Sequence, residues 1–197
     1  MQQKPKEKPP DTVKQMLLDI LSLAKTVVLT LIVVLLLTHF VIANAIVPTS
    51  SMEKTIYPGD RIIGVRFLKN YDRGDIIIFK DPEGADRYLI KRIIGMPGDH
   101  IRIVRGEEPQ TSYVAVNGTR LNEPYLPEEM ITCREFDGMD LIVPENSYFC
   151  LGDNRNNSKD ARFWKDKFIS KDEVIAKACI KYWPLNRAGF FIRPAYE

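Results

Sequence analysis

Side chains able to do catalytic chemistry are scarce in this chain. Its two histidines are His39 and His100. His39 stands inside a long apolar run. His100 opens a strand-like segment beside Asp99, with no serine nearby to serve. A Ser-His-Asp arrangement therefore has little material, and a hydrolytic site would need another base. Serine activated by lysine is one such variant. The cysteines, Cys133, Cys150 and Cys179, are far apart and form no Cys-x-x-Cys. A zinc site and a disulfide framework are thus poor readings, although one bridge is open. No metal and no organic cofactor is implied.

Three segments carry the serine–lysine idea. They are Pro48-Thr49-Ser50-Ser51-Met52, Tyr88 to Asp99 (YLIKRIIGMPGD), and Gly152 to Arg162 (GDNRNNSKDAR). Each alone has a bland reading: a serine pair, an edge of charged residues, a turn. In this order, directly after an apolar helix, they resemble type I signal peptidase in its single-anchor bacterial form, over roughly residues 26–185. The resemblance implies that Ser51, immediately before Met52, is the nucleophile and that Lys91 is the general base. It implies that Thr49 assists an oxyanion hole, that Ser158 orients the lysine, and that Asp160 and Arg162 brace the site. It also implies small substrate pockets lined from Ala45, Val47, Met52, Ile56, Ile78 and Ile90. Three positions depart from the family's habit: Lys54 where proline is common, Asn156 for aspartate, and Ala161 for serine.

Elementary geometry is consistent with these roles. On a strand Lys91 shares a face with Leu89 and Ile93. An ammonium against aliphatic side chains loses hydration, and its pKa falls toward the value a proton acceptor needs. Ser50 is expected to turn to the other face from Ser51. An extended substrate presents the first and third residues before the cut to one face, so paired apolar pockets would select small-x-small sequences. Such a substrate would bind as an added strand. Cys150, Cys179 and Met52 read as packing residues, with Met52 reaching one edge of the pocket. Asp160 and Arg162 share one side of an extended segment; the bland alternative is a surface ion pair.

The elements that must position these residues are legible from hydropathy. The chain of 197 residues has room for one domain and an appendage, and its 45% apolar content can fill a core. Thr26 to Ala45 has no charged residue, and twenty such residues span about 30 Å as a helix. Residues 1–25 hold five lysines against three acidic residues, while residues 47–197 balance. The expected order is a cytoplasmic segment (1–25), a single transmembrane anchor (26–46) and an extracytoplasmic catalytic domain (47–197). Ala43-Asn44-Ala45 has the form of a cleavage site, but the apolar run is too long for an ordinary signal peptide. Self-cleavage after Ala45 is open. Ser51 follows Ala45 by six residues, about 20 Å at most, so it should lie near the outer membrane surface.

Beyond Ala45 the pattern is β. Arg61–Val65, Asp75–Lys80, Leu89–Ile94, His100–Val104, Tyr113–Val116, Thr119–Leu121, Tyr148–Leu151 and Val174–Tyr182 read as strands. Asn117-Gly118 is a hairpin signal, and Ser170–Glu173 resembles a capping box. Residues 105–140 read as a smaller inserted lobe. The fold class is mainly β, with antiparallel sheets following the N-terminal helix. The implied activity is that of a membrane-bound serine endopeptidase removing signal peptides. Its partners would be secretory preproteins, the phospholipid membrane and nearby export machinery. A net charge of +2 is too small for a nucleic-acid footprint. The alternatives are a self-cleaving Ser/Lys autoprotease and a catalytically silent anchored adaptor.

Overall fold

Apolar residues without charged neighbours make one long helix at the N-terminal end, and β-branched runs make everything after it. The computed structural model describes residues 12–108, 110–132 and 134–196. The chain divides into two units, with the boundary between Phe40 and Val41.

In the first unit, α1 (Thr12–Leu36) has no buried residue, and a π-helical turn (Leu37–Val41) follows it. The span Thr12–Val41 is long and apolar enough to cross a membrane. Thr26, Thr30 and Thr38 turn their hydroxyls back onto carbonyls four residues earlier. Such bonds satisfy polar groups within the helix itself, as an apolar environment requires.

The second unit is built on two antiparallel sheets. The larger contains β1 (Ile42–Ile46), β2 (Arg61–Val65), β3 (Ile76–Lys80), β4 (Tyr88–Gly95), β10 (Ser147–Leu151), β11 (Ile169–Ser170) and β12 (Val174–Trp183). Its order is β1-β2-β12-β3-β4-β10-β11, with β13 (Gly189–Phe190) paired to β12. The smaller contains β5 (His100–Arg105), β6 (Thr111–Val116), β7 (Thr119–Arg120), β8 (Met130–Ile131) and β9 (Asp140–Ile142). Its order is β7-β6-β5-β9, with β8 paired to β6.

The mainly β fold class holds, and every strand read from the sequence is present within a residue or two. Two boundaries differ. The last residues assigned to the anchor, Ile42–Ile46, are strand β1, paired with β2 from Ile42↔Val65 to Ile46↔Arg61. A run of apolar residues does not reveal where helix gives way to strand. The smaller lobe is wider than 105–140, because β5 and β9 close its sheet at residues 100–142. The Asn117-Gly118 hairpin forms with both residues at positive φ, 52° and 85°, which suits a primed turn. The capping box at Ser170 and Glu173 is complete.

Two apolar clusters fill the second unit. The larger joins both sheets, with Ile77, Phe79, Ile93, Ile101, Val114, Phe149 and Trp164 at its centre. The smaller gathers Val47, Met52, Ile56, Ile62, Ile78 and Ala176, with Ala45 and Ile90 at its margin. All the pocket residues inferred from sequence belong to this smaller cluster. Cys150 is buried, whereas Cys179 is only half-buried; both are free thiols. Cys133 lies outside the described residues.

Candidate active site

Strand β1 cannot run on, because Pro48 has no N–H to give to a ladder. The chain turns instead. Val47 N–H donates to Asp60 O at 3.0 Å, and Gly59 N–H donates back to Val47 O at 2.7 Å. Glu53 N–H then donates to Ser50 O, and Ile56 N–H to Met52 O. Residues 49–56 are therefore turns, and strand alternation does not separate Ser50 from Ser51. Met52 and Ile56 pin this segment into the smaller cluster at 1% and 0% exposure. Ser51 is left half-buried.

Lys91 reaches Ser51 from β4. Its Nζ donates to Ser51 Oγ at 2.6 Å, although the side chain is buried. Leu89 and Ile93, on the same face, pack in the larger cluster. Burial pushes the Lys91 ammonium down from 10.5 to about 8, against the upward pull of Asp160 and Asp153. Near pH 8, half of this lysine is thus an unprotonated amine hydrogen-bonded to a hydroxyl. Thr49 Oγ1 lies 3.3 Å from Ser51 Oγ, on the exposed side.

The segment Gly152–Arg162 backs the pair. Asn154 N–H donates to Ser51 O at 3.1 Å, and Asn157 Nδ2 donates to Ser50 Oγ at 2.8 Å. A side chain at Gly152 would collide with Ser158 Oγ and Ser51 O, so glycine is what permits this close approach. Asp160 and Arg162 are no surface pair. Arg162 Nε and Nη2 donate to the two carboxylate oxygens at 2.8 and 2.9 Å, with both side chains at most 1% exposed. Burial pushes the Asp160 carboxyl up. The Arg162 charge and hydrogen bonds, with the Gly152 N–H, outweigh burial and hold it below the usual carboxylate range. Ser158 Oγ favours that charged form by proximity, but it completes no hydrogen bond of good geometry and is buried without a partner.

Other residues in the same region carried no role in the sequence reading. Arg92, beside Lys91, donates from Nε and Nη2 to Asp153 at 2.8 and 2.5 Å, and Thr55 Oγ1 donates to the same carboxylate. A charged pair inside otherwise apolar strand segments was their only sequence signal. Arg155 binds Glu123, 32 residues away, and nothing local in the sequence joins these two.

A cleft of about 420 Å³ opens beside Ser51. Ala45, Val47, Met52, Ile78 and Ile90 line it together with Ser51 and Lys91. Ile56 is not on the lining; it is fully buried behind it. Arg87, Tyr88 and Asn44 also border the cleft and had not been anticipated. A larger cleft, about 570 Å³, lies between Ser112 and Arg155 on the smaller lobe. Its lining holds no serine paired with a buried lysine, so the chemistry is placed at Ser51.

The arrangement can take a proton from a serine hydroxyl and present that serine to a narrow apolar cleft. Comparisons with known proteins agree with it. Residues 20–183 match the family described as signal peptidase, peptidase S26. The chain is 34% identical over 194 residues to a probable signal peptidase I-2 of Synechocystis sp., covering 94% of this chain and 81% of that one. It is 32% identical to signal peptidase I S of Bacillus subtilis, covering 85% and 91%. It is 34% identical to a signal peptidase I P of Bacillus subtilis subsp. natto, covering 86% and 92%.

Proposed function

The chain belongs to the signal peptidase family, peptidase S26, and we propose that it performs the family's reaction with Ser51 as nucleophile and Lys91 as general base. The enzyme is a serine endopeptidase, and its reaction is removal of signal peptides. The observation that carries the residue assignment is the 2.6 Å hydrogen bond between a buried, pKa-lowered lysine and a serine at a cleft.

In the first step the neutral Lys91 amine takes the Ser51 proton as Oγ attacks the scissile carbonyl. The Thr49 hydroxyl and the Ser51 amide stabilise the oxyanion. Lys91 then gives its proton to the leaving amine, leaving an ester of Ser51 with the signal peptide. Water, deprotonated by Lys91, hydrolyses that ester. Asp160 and Arg162 hold the loop behind the pair, and Ser158 steers the lysine; a buried hydroxyl without a partner is costly unless it is used.

Strand β1 ends the larger sheet, with β2 its neighbour on one side only. An extended substrate would pair with its free edge, as strand addition does elsewhere. The first and third residues before the cut would then enter the cleft beside Ala45, Val47, Ile78 and Ile90. The helix Thr12–Val41 would anchor the chain once, with its N-terminus in the cytoplasm and the β unit outside. Secretory preproteins would reach the site from the export machinery at the bilayer.

The test is cleavage of a preprotein by the full-length chain in phospholipid vesicles, beside Ser51→Ala. Release of the mature protein by wild type and none by Ser51→Ala is expected. Undiminished cleavage by Ser51→Ala would sink the assignment.

A further inference from the structure

One short turn of the smaller lobe touches every piece of the site. Leu126 N–H donates to Glu123 O at 3.1 Å, closing a turn over Pro124 and Tyr125. From the nucleophile's segment, Lys54 Nζ donates to Pro124 O at 2.9 Å and Leu126 O at 2.7 Å. Lys54 adopts φ 78°, which proline's ring forbids. Its presence at this position thus goes with a backbone shaped to deliver its side chain.

From the base's strand, the Arg92 guanidinium lies 4.1 Å from the centre of the Tyr125 ring. From the third segment, Arg155 donates through Nη1 and Nη2 to both oxygens of Glu123, at 2.8 and 2.5 Å. The same guanidinium's Nε holds Gly152 O at 3.0 Å. Tyr125 hydroxyl donates to Glu123 at 2.6 Å. The Glu123 and Arg155 side chains are 6% and 1% exposed.

We infer that the Glu123–Leu126 turn is the positioning device of the Ser51–Lys91 pair, with Glu123 its central positioning residue. The inference rests on the assignment of Ser51 and Lys91 given above. Ser51, Lys91 and Gly152 come from distant parts of the chain and must be held to within about half an ångström. Each main-chain segment carrying them sends one cation to this turn: Lys54, Arg92 and Arg155. A bidentate guanidinium–carboxylate pair fixes direction as well as distance. A buried ion pair is a poor source of stability compared with apolar packing, and fixing a geometry is a use that such pairs serve.

The experiment measures kcat and KM of the full-length chain in detergent micelles, with kcat divided by the folded fraction from denaturant unfolding. Glu123→Ala should lower kcat per folded molecule roughly ten- to a hundredfold, as a misplacement near 1 Å does, with KM within about twofold. Glu123→Gln should recover part of the loss, because its amide oxygen still accepts from Arg155. Lys54→Met and Tyr125→Phe should each lower kcat a few-fold without moving the unfolding midpoint by an equivalent amount. Wild-type kcat per folded molecule in Glu123→Ala, or in both Lys54→Met and Tyr125→Phe if Glu123→Ala does not fold, overturns the inference. Ser51→Ala runs alongside. If it is inactive while these variants match wild type, the positioning role alone falls; if it is active, the nucleophile assignment falls.

Discussion

Lys91 is where burial and chemistry pull hardest against each other. Its ammonium has a pKa near 8 in the folded chain and 10.5 as the reference. Between those values the unfolded chain binds more protons than the folded one, so stability rises with pH across that window. Below pH 8 the charged form is carried at full penalty, about 3 kcal/mol at 1.36 per pKa unit. Lys91→Met should therefore be inactive yet at least as stable as wild type at pH 7, with the difference shrinking toward pH 10.5. Unfolding of the full-length chain at several pH values checks this; a clearly less stable methionine variant at pH 7 would show a lysine held by ion pairing. Lys91→Arg should also be inactive, since a guanidinium keeps its proton. Ser50 differs from a bystander because its Oγ accepts from Asn157. Ser50→Ala should cost about 1 kcal/mol of stability and only a small part of the rate. A loss of rate as deep as that of Ser51→Ala would mean the wrong serine has been chosen.

Between elements, contact distances set the tolerances. The loop at Gly152 meets the Ser51 turn so closely that a methyl group at 152 would overlap Ser51 O. That oxygen is main chain and cannot swing aside, so the two segments must separate. Gly152→Ala should lower kcat by roughly tenfold or more while the larger sheet stays folded. Circular dichroism with the rate measurement checks it, and an unchanged rate would mean the loop has slack. The cleft between β1 and β4 makes a second prediction. Cleavage should need small residues at the first and third positions before the cut and tolerate variety at the second, because alternate strand residues face opposite ways. A peptide series cut equally well with leucine at the third position would contradict the strand-addition geometry.

For the molecule as a whole, the uncharged helix and the balanced β unit set up a test of topology. In right-side-out vesicles, protease added outside should degrade the β unit and spare the segment before the helix. Protection of the β unit would reverse the orientation and remove its access to exported chains. The positioning turn also works at this scale. A lobe with no catalytic group of its own contributes Glu123 and Tyr125 to a site built on the other sheet.

The sequence by itself determined the helix, the class of sheet and the chemistry. Charge-free length and two-residue alternation are local properties, and the Ser51, Lys91 and Gly152–Arg162 motifs are short stretches of chain. Most strands, the Asn117-Gly118 hairpin and the Ser170 cap were legible for the same reason. The tertiary structure alone decided the rest. That β1 begins at Ile42 depends on pairing with Arg61–Val65, and that Ile56 lies behind the cleft depends on how the turn closes over Met52. The depth of burial of Asp160 and Arg162 turned an apparent surface pair into an internal one. The Arg92–Asp153 and Arg155–Glu123 pairs bridge residues 61 and 32 positions apart. Such pairings form because packing brings distant segments together and buried charge must then find a partner, and no local pattern of residues encodes which partner that will be.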